Sequence, residues 1–87
     1  MGYKQNPDVK FREEFDGTGI LFHPATGKTY LLNQTAILIW KLLIQERSEN
    51  ELIATLEDLY GSSKSFASDV TAILNKLQTN HFIRNNK

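Results

Sequence analysis

The chain has 87 residues, which suits one small domain with a modest core. Ten Lys and Arg balance ten Asp and Glu, so the net charge gives no general attraction to nucleic acid or to an anionic membrane. The absence of cysteine excludes disulfides, thiolate metal sites and a cysteine nucleophile. No secretion signal is visible, and no apolar run reaches the roughly 18 residues of a membrane span. We therefore expect a cytoplasmic, soluble, single domain over residues 1–87, with an ordered core of about 8–83.

The first third of the chain predicts a small antiparallel meander. Val9–Phe15 alternates apolar and charged residues, and Ile20–Phe22 is a short apolar run that follows a glycine-containing turn. Residues 23–27 have the composition of a hairpin loop, because their proline fixes φ and their glycine can adopt a positive φ. Lys28–Leu32 is then predicted as the third strand, with alternate side chains facing the core.

From Asn33 onward the pattern becomes helical. The side chain of Asn33 is predicted to cap an almost wholly apolar helix from about Gln34 to Gln45. We expect this helix to be the spine of the fold, covered by the sheet on one side and by other helices on another. Ser48 and Glu51 form a capping box before a second helix, for which Gly61 is the natural C-terminal cap. The apolar face of this amphipathic helix is predicted to consist of Leu52, Ile53, Leu56, Leu59 and Tyr60.

A third helix is predicted to open at Ser62 or Ser63 and to end near Asn80, because apolar residues recur between them at helical spacing. A strand-like piece at His81–Ile83 is compatible with the pattern, and Arg84–Lys87 is expected to be a loose tail. Three strands followed by three helices predict an α+β, winged-helix-like domain. Its second and third helices would form a helix-turn-helix pair.

The side chains that could support catalysis or metal binding are scattered. His23 and His81 lie far apart in the sequence, and neither has a metal-binding partner at helical spacing. No serine or threonine of the helical region has a recognisable base beside it, and the glycines lack a phosphate-binding spacing. The sequence therefore predicts a protein without enzymatic activity, metal or cofactor.

DNA binding is the alternative that the helix-turn-helix order raises. A recognition helix carries Arg, Lys, Asn or Gln for base edges, with basic residues around it for phosphates. The predicted third helix contains no arginine, and the next one along the chain is Arg84. Residues 46–58 hold five acidic residues and one basic residue, Arg47. An acidic second helix beside the duplex would repel it, so the charges disfavour this alternative.

Peptide binding at a sheet edge is the other possibility. An edge strand presents unpaired N–H and C=O groups, and Lys28–Leu32 is such a strand. A peptide could add to it as a further strand, with affinity from main-chain hydrogen bonds and specificity from side-chain pockets. The competing interpretation is a short, blunted edge without a partner, and the residue pattern favours neither.

A motif in the middle of the chain resembles a known family. It has the form GK-x-Y-x-LN-x-TA-x-x-IW-x-LL and precedes an S-x-x-E-L helix start, a Tyr-Gly pair and an Asp-Val pair. These patterns resemble the family of the pyrroloquinoline quinone biosynthesis protein D, over about residues 9–83. The residues that carry the resemblance are Gly27, Lys28, Tyr30, Leu32, Asn33, Thr35, Ala36, Ile39, Trp40, Leu42, Leu43, Ser48, Glu51, Leu52, Ile53, Tyr60, Gly61, Asp69, Val70, Ile73, Leu74 and Leu77.

The resemblance implies a winged-helix-like fold and a role in recognising ribosomally made, post-translationally modified peptides. Members bind the leader of a precursor peptide and present it to a modifying enzyme, often a radical S-adenosylmethionine protein. The leader pairs with the third strand and lies against the third helix. The residues of the motif itself belong mostly to the core, so Asn33 is expected to be a cap and Trp40 a packing residue. The implied peptide-binding residues are Lys28, Thr29, Tyr30, Leu31 and Leu32 on the strand, and Ala67, Val70, Thr71, Leu74 and Gln78 on the outward flank of the helix.

Overall fold

The fold combines two small antiparallel sheets with three helices, and the computed structural model describes residues 2–61 and 66–86. The predicted meander and the predicted three helices are both confirmed, in the predicted order. A second, two-stranded sheet was not predicted. The elements are β1 (Gly2–Gln5), β2 (Lys10–Glu13), β3 (Gly19–His23), β4 (Lys28–Leu32), α1 (Gln34–Leu42), α2 (Glu49–Tyr60), α3 (Ala67–Thr79) and β5 (Ile83–Asn86).

Two tight turns build the sheet β2-β3-β4. In the first, the backbone N–H of Glu14 donates to the carbonyl of Thr18 at 2.8 Å, and Gly17 takes the positive φ of 85° that the turn requires. The Asp16 carboxylate accepts the Thr18 hydroxyl at 2.6 Å, and this hydrogen bond lowers the pKa of Asp16. In the second turn, Gly27 has φ 73° and donates its N–H to the carbonyl at the end of β3. The predicted hairpin loops are therefore confirmed.

Helix α1 is capped as predicted but is shorter than predicted. The Asn33 side chain accepts the N–H of Ala36 at 2.9 Å, which satisfies a donor of the first turn. The helix ends at Leu42 rather than near residue 45. The Arg47 side chain donates to the carbonyl of Leu42 at 2.8 Å, so a cation occupies the helix C-terminus, and Ile44 beyond it is exposed.

Helix α2 starts with the predicted capping box. Ser48 accepts the N–H of Glu51 at 3.1 Å, and the Glu51 carboxylate accepts the N–H of Ser48 at 2.8 Å. This second bond lowers the pKa of Glu51, because it stabilises the charged form. Leu52 and Leu56 are buried as expected, whereas Leu59 and Tyr60, expected on the same apolar face, are exposed in the last turn. That part of the prediction was wrong, because the last turn of α2 extends past the core.

Helix α3 ends as predicted, with Asn80 as its C-cap. Its described part begins at Ala67, and the predicted start at Ser62 or Ser63 lies outside the described residues. The chain then reverses at His81, which has a positive φ of 63°. No helix in the described part of the chain is long and apolar enough to cross a membrane.

The predicted loose tail is wrong, because Ile83–Asn86 forms a strand paired with Gly2–Gln5. Strands therefore also lie outside the predicted ordered core of about 8–83, at Gly2–Gln5 and at the end of Ile83–Asn86. Asn6 reinforces the junction. Its backbone N–H donates to the carbonyl of Phe82 at 3.0 Å, and its side chain donates to the carbonyl of His81 at 3.0 Å. Both strands are largely polar, so neither shows the alternation of apolar and polar residues that predicts a strand. They also lie far apart in the sequence, so no local pattern indicates that they pair.

The first prediction concerns Trp40 of α1, which is 4% exposed. Its ring centroid lies 6.5 Å from that of Phe11 in β2, so the side chain packs between the helix and the sheet. We expect Trp40→Ala to lower the free energy of unfolding by about 3–5 kcal/mol, a large fraction of the stability of so small a domain. Urea denaturation followed by circular dichroism measures the change. The neighbouring Lys41→Ala is the control, because it removes only an exposed ion pair with Glu13. Equal stability of the two variants would contradict the packing role of Trp40.

The second prediction tests the junction of the two termini. Asn6→Ala leaves the His81 carbonyl without its side-chain donor and removes the acceptor of the Asp8 N–H. We therefore expect a loss of about 1–3 kcal/mol in the free energy of unfolding. Asp8→Ala changes an adjacent exposed side chain and should be nearly neutral in the same denaturation experiment. If Asn6→Ala were as stable as Asp8→Ala, the side-chain hydrogen bonds of Asn6 would not contribute to the stability of the domain.

Candidate functional site

The candidate site is the free edge of the three-stranded sheet. β4 is the last strand in the order β2-β3-β4, and its outer side pairs with no other strand among the described residues. The turn bonds show how the middle strand is oriented. The carbonyl of Thr18 accepts from Glu14, so the backbone of Thr18 is directed toward β2. Successive residues of an antiparallel strand direct their backbone groups to opposite sides, so Gly19, Leu21 and His23 are directed toward β4.

The register then identifies the outward groups of β4. The partners of those three residues are Leu32, Tyr30 and Lys28, which therefore direct their N–H and C=O groups toward β3. Thr29 and Leu31 direct theirs away from the sheet. Both residues thus offer a donor and an acceptor at the open edge, which are the groups that strand addition uses.

The side chains of β4 alternate as predicted. Leu32 is buried and Tyr30 is half-buried. The Tyr30 ring stacks on the Phe82 ring, with 6.2 Å between the ring centroids and an interplanar angle of 19°. Leu31 and Thr29 point to the opposite face of the sheet, where Leu31 is 70% exposed. An added strand would accordingly meet a different surface on each of its two sides.

Helix α3 runs alongside β4 in the opposite direction. Lys28 Nζ donates to Asn80 Oδ1 at 3.3 Å, and Lys76 Nζ lies 5.7 Å from the centre of the Tyr30 ring. Ile73 precedes Lys76 by three residues, so it lies on the same flank of the helix, toward the Leu32 end of β4. We call the surface formed by Lys28, Tyr30, Ile73, Lys76 and Asn80 the β4–α3 strip.

The helical residues predicted for the site lie elsewhere on α3. Val70 and Leu74 are 0% and 1% exposed and belong to the core, so their predicted outward placement is wrong. The Thr71 hydroxyl donates to Glu49 of α2 at 2.8 Å, which places Thr71 on the flank facing α2. Ala67 and Gln78 are four residues before and seven after Thr71, so they share that flank. Peptide contact by any of these residues stays a prediction.

The strip residues of α3, Ile73, Lys76 and Asn80, were missed at the level of sequence. Their spacing of three and four residues places them on one flank of the helix, but the residues predicted for the site also have helical spacing. Spacing alone therefore does not show which of the two flanks faces β4. The choice between flanks depends on Phe82, whose stacking on Tyr30 brings the end of α3 to β4. A contact between residues 30 and 82 leaves no local signal in the sequence.

No chemistry of metal binding is visible at the site. In residues 2–61 and 66–86, no three His, Cys, Asp or Glu side chains are grouped so that they could hold a metal ion. The described ion pairs, Arg12–Glu14 and Lys41–Glu13, both lie away from the β4–α3 strip. The β4 edge therefore offers main-chain hydrogen bonds through Thr29 and Leu31, and the strip beside it offers apolar surface and positive charge.

The fold is that of a small winged-helix-like α+β domain with an open strand edge beside a helix. The sequence model of the family described as coenzyme PQQ synthesis protein D matches residues 18–83, so the chain belongs to that family. No curated protein sequence matches the chain.

Solved structures with a similar fold include two complexes with leader peptides. One is TbiB1 in complex with the TbiA(beta) leader peptide, with a TM-score of 0.78 and 21% identity over 97% of this chain and 98% of that one. The other is a lasso peptide synthetase B1 complexed with the leader peptide, with a TM-score of 0.74 and 20% identity over 95% of this chain and 98% of that one. At these identities the similarity shows the fold.

Proposed function

We propose that this protein recognises the leader of a ribosomally made precursor peptide by adding it as a strand to the open edge of β4. The observation that carries the proposal is the pair of outward-directed residues, Thr29 and Leu31, on an edge strand that runs alongside α3. Family membership and the two similar folds, both solved with leader peptides, support the same role.

The edge alone does not supply the affinity that such a role needs. Thr29 and Leu31 offer two donors and two acceptors, and each net hydrogen bond contributes about 0.5–1.5 kcal/mol. A micromolar complex corresponds to about 8 kcal/mol. Side-chain contacts must therefore supply a substantial share, and the surfaces available are the β4–α3 strip on one face and exposed Leu31 on the other.

The modifying chemistry is assigned to a separate enzyme, such as a radical S-adenosylmethionine protein. In this proposal the chain contributes binding and presentation only, within the cytoplasm. The pathway can be that of a quinone cofactor or of another modified peptide. The genes adjacent to this one would identify both the peptide and the enzyme.

No observation favours the DNA-binding alternative. Helix α2, which would lie beside the duplex in a helix-turn-helix complex, carries Glu49, Glu51, Glu57 and Asp58 and no Lys or Arg. Because phosphate neutralisation supplies most of the affinity of such complexes, the acidic side chains of α2 oppose binding.

The third prediction tests strand addition with proline. Thr29→Pro and Leu31→Pro each remove an outward N–H, so the ladder to β3 is retained while a bond to the peptide is lost. We expect each variant to stay folded and to bind at least about tenfold more weakly, because the proline ring also obstructs the edge. The measurement is fluorescence anisotropy with a labelled leader, chosen from the small peptides encoded next to the gene.

The matched control for this experiment is Leu31→Ala, which keeps the N–H and removes most of the side chain. It should bind better than Leu31→Pro, and circular dichroism melts should show that all three variants are folded. If both proline variants stayed folded and bound the leader normally, strand addition to β4 would have to be abandoned.

The fourth prediction separates peptide binding from DNA binding by salt. We expect micromolar or tighter leader binding that weakens by less than about tenfold between roughly 50 and 200 mM salt, because few charges are neutralised. Duplex DNA should bind weakly, with a steep salt dependence and no sequence preference. Tight, sequence-selective duplex binding at physiological salt would reverse the ranking of the two functions.

A further inference from the structure

We propose that the β4–α3 strip selects leader segments in which an acidic residue lies two positions from an apolar residue, and that Lys76 is the residue that reads the acidic one. This inference rests on the proposed function and names the class of peptide that the same site accepts. It follows from three observations on the strip: its unpaired cations, its alternation and its charge gradient.

The two cations of the strip have no carboxylate partner in the described part of the chain. Lys28 Nζ donates only to the neutral amide of Asn80, and Lys76 Nζ lies over the ring of Tyr30. Neither lysine belongs to an ion pair with the described residues, and both side chains are exposed. Cation–π contacts at exposed positions are weak. An incoming carboxylate can therefore replace these contacts at little cost.

The alternation of β4 determines which peptide residues would meet these cations. In a strand added to β4, every second side chain lies on the same face as Tyr30 and Leu32. The peptide residue opposite Tyr30 would lie beside Lys76. The residue two positions away, opposite Leu32, would lie about 7 Å further along, toward Ile73. The helix thus presents a cation and an apolar side chain to alternate residues of one peptide face.

The charge on this flank of α3 changes along the helix. Lys76 lies near the Lys28 end of the strip, whereas Asp69 is seven residues earlier on the same flank, about 10 Å along the helix axis. An acidic side chain is favoured at the lysine end and repelled at the Asp69 end. The order of the acidic and apolar residues in a bound peptide would then report the direction in which its strand runs.

The test uses a phage-displayed library of random peptides, selected in parallel on the wild-type protein and on Lys76→Glu. The wild type should enrich peptides with Asp or Glu two positions from an apolar residue. Lys76→Glu should lose this preference or exchange it for Lys or Arg. Single enriched peptides, made synthetically, should bind at least about tenfold more weakly to Lys76→Glu and close to normally to Lys76→Arg.

Lys10→Glu is the matched control, because it makes the same charge change on β2, at the other edge of the same sheet. It should leave the consensus and the affinities unchanged. Lys76→Gln removes the charge without reversing it and replaces Lys76→Glu if the latter unfolds in circular dichroism melts.

Each outcome tests a different level of the proposal. Enriched peptides that bind Leu31→Pro as well as they bind the wild type would contradict strand addition itself, and the proposed function with it. Peptides that require the β4 edge but show no acidic preference, or that give the same consensus on Lys76→Glu, would overturn only the role of Lys76.

Discussion

The stacking of Phe82 on Tyr30 is the contact on which the rest of this structure depends. Phe82 is fully buried, and its backbone N–H donates to the carbonyl of Leu77 at the end of α3. Its carbonyl accepts from Asn6, which fixes the N-terminal segment. One residue thus links the edge strand through its ring, and the last helix and the N-terminal segment through its backbone. The distance between β4 and α3, and therefore the shape of the strip, follows from this contact.

The candidate site is built on rigid elements. β4 leads directly into α1 through the Asn33 cap, and the apolar surface of α1 forms much of the core. A peptide that adds to β4 would meet a strand that is already ordered, so little conformational entropy would be lost on the protein side. The exposed lysines of the strip are the adjustable part, since their long side chains can change contacts without a movement of the backbone.

Local signals in the sequence predicted much of the fold. Asn33, the Ser48 and Glu51 pair and Gly61 act within a few residues of their positions, so their roles were visible before the structure was known. The pairing of β1 with β5 joins segments about 80 residues apart, both largely polar, and was missed. The flank of α3 that faces β4 was also missed, because helical spacing gives the angle between side chains but not the position of the neighbouring strand.

The antiparallel pairing of Gly2 with Asn86 places the two ends of the described chain side by side. Paired residues in such a ladder have Cα atoms only about 5 Å apart. A domain with this geometry can be inserted into a surface loop of a larger protein with little separation between its entry and exit points. The β4 edge belongs to the other sheet, so it takes no part in such a connection. The fold is therefore suited to being transferred between protein contexts as a self-contained module.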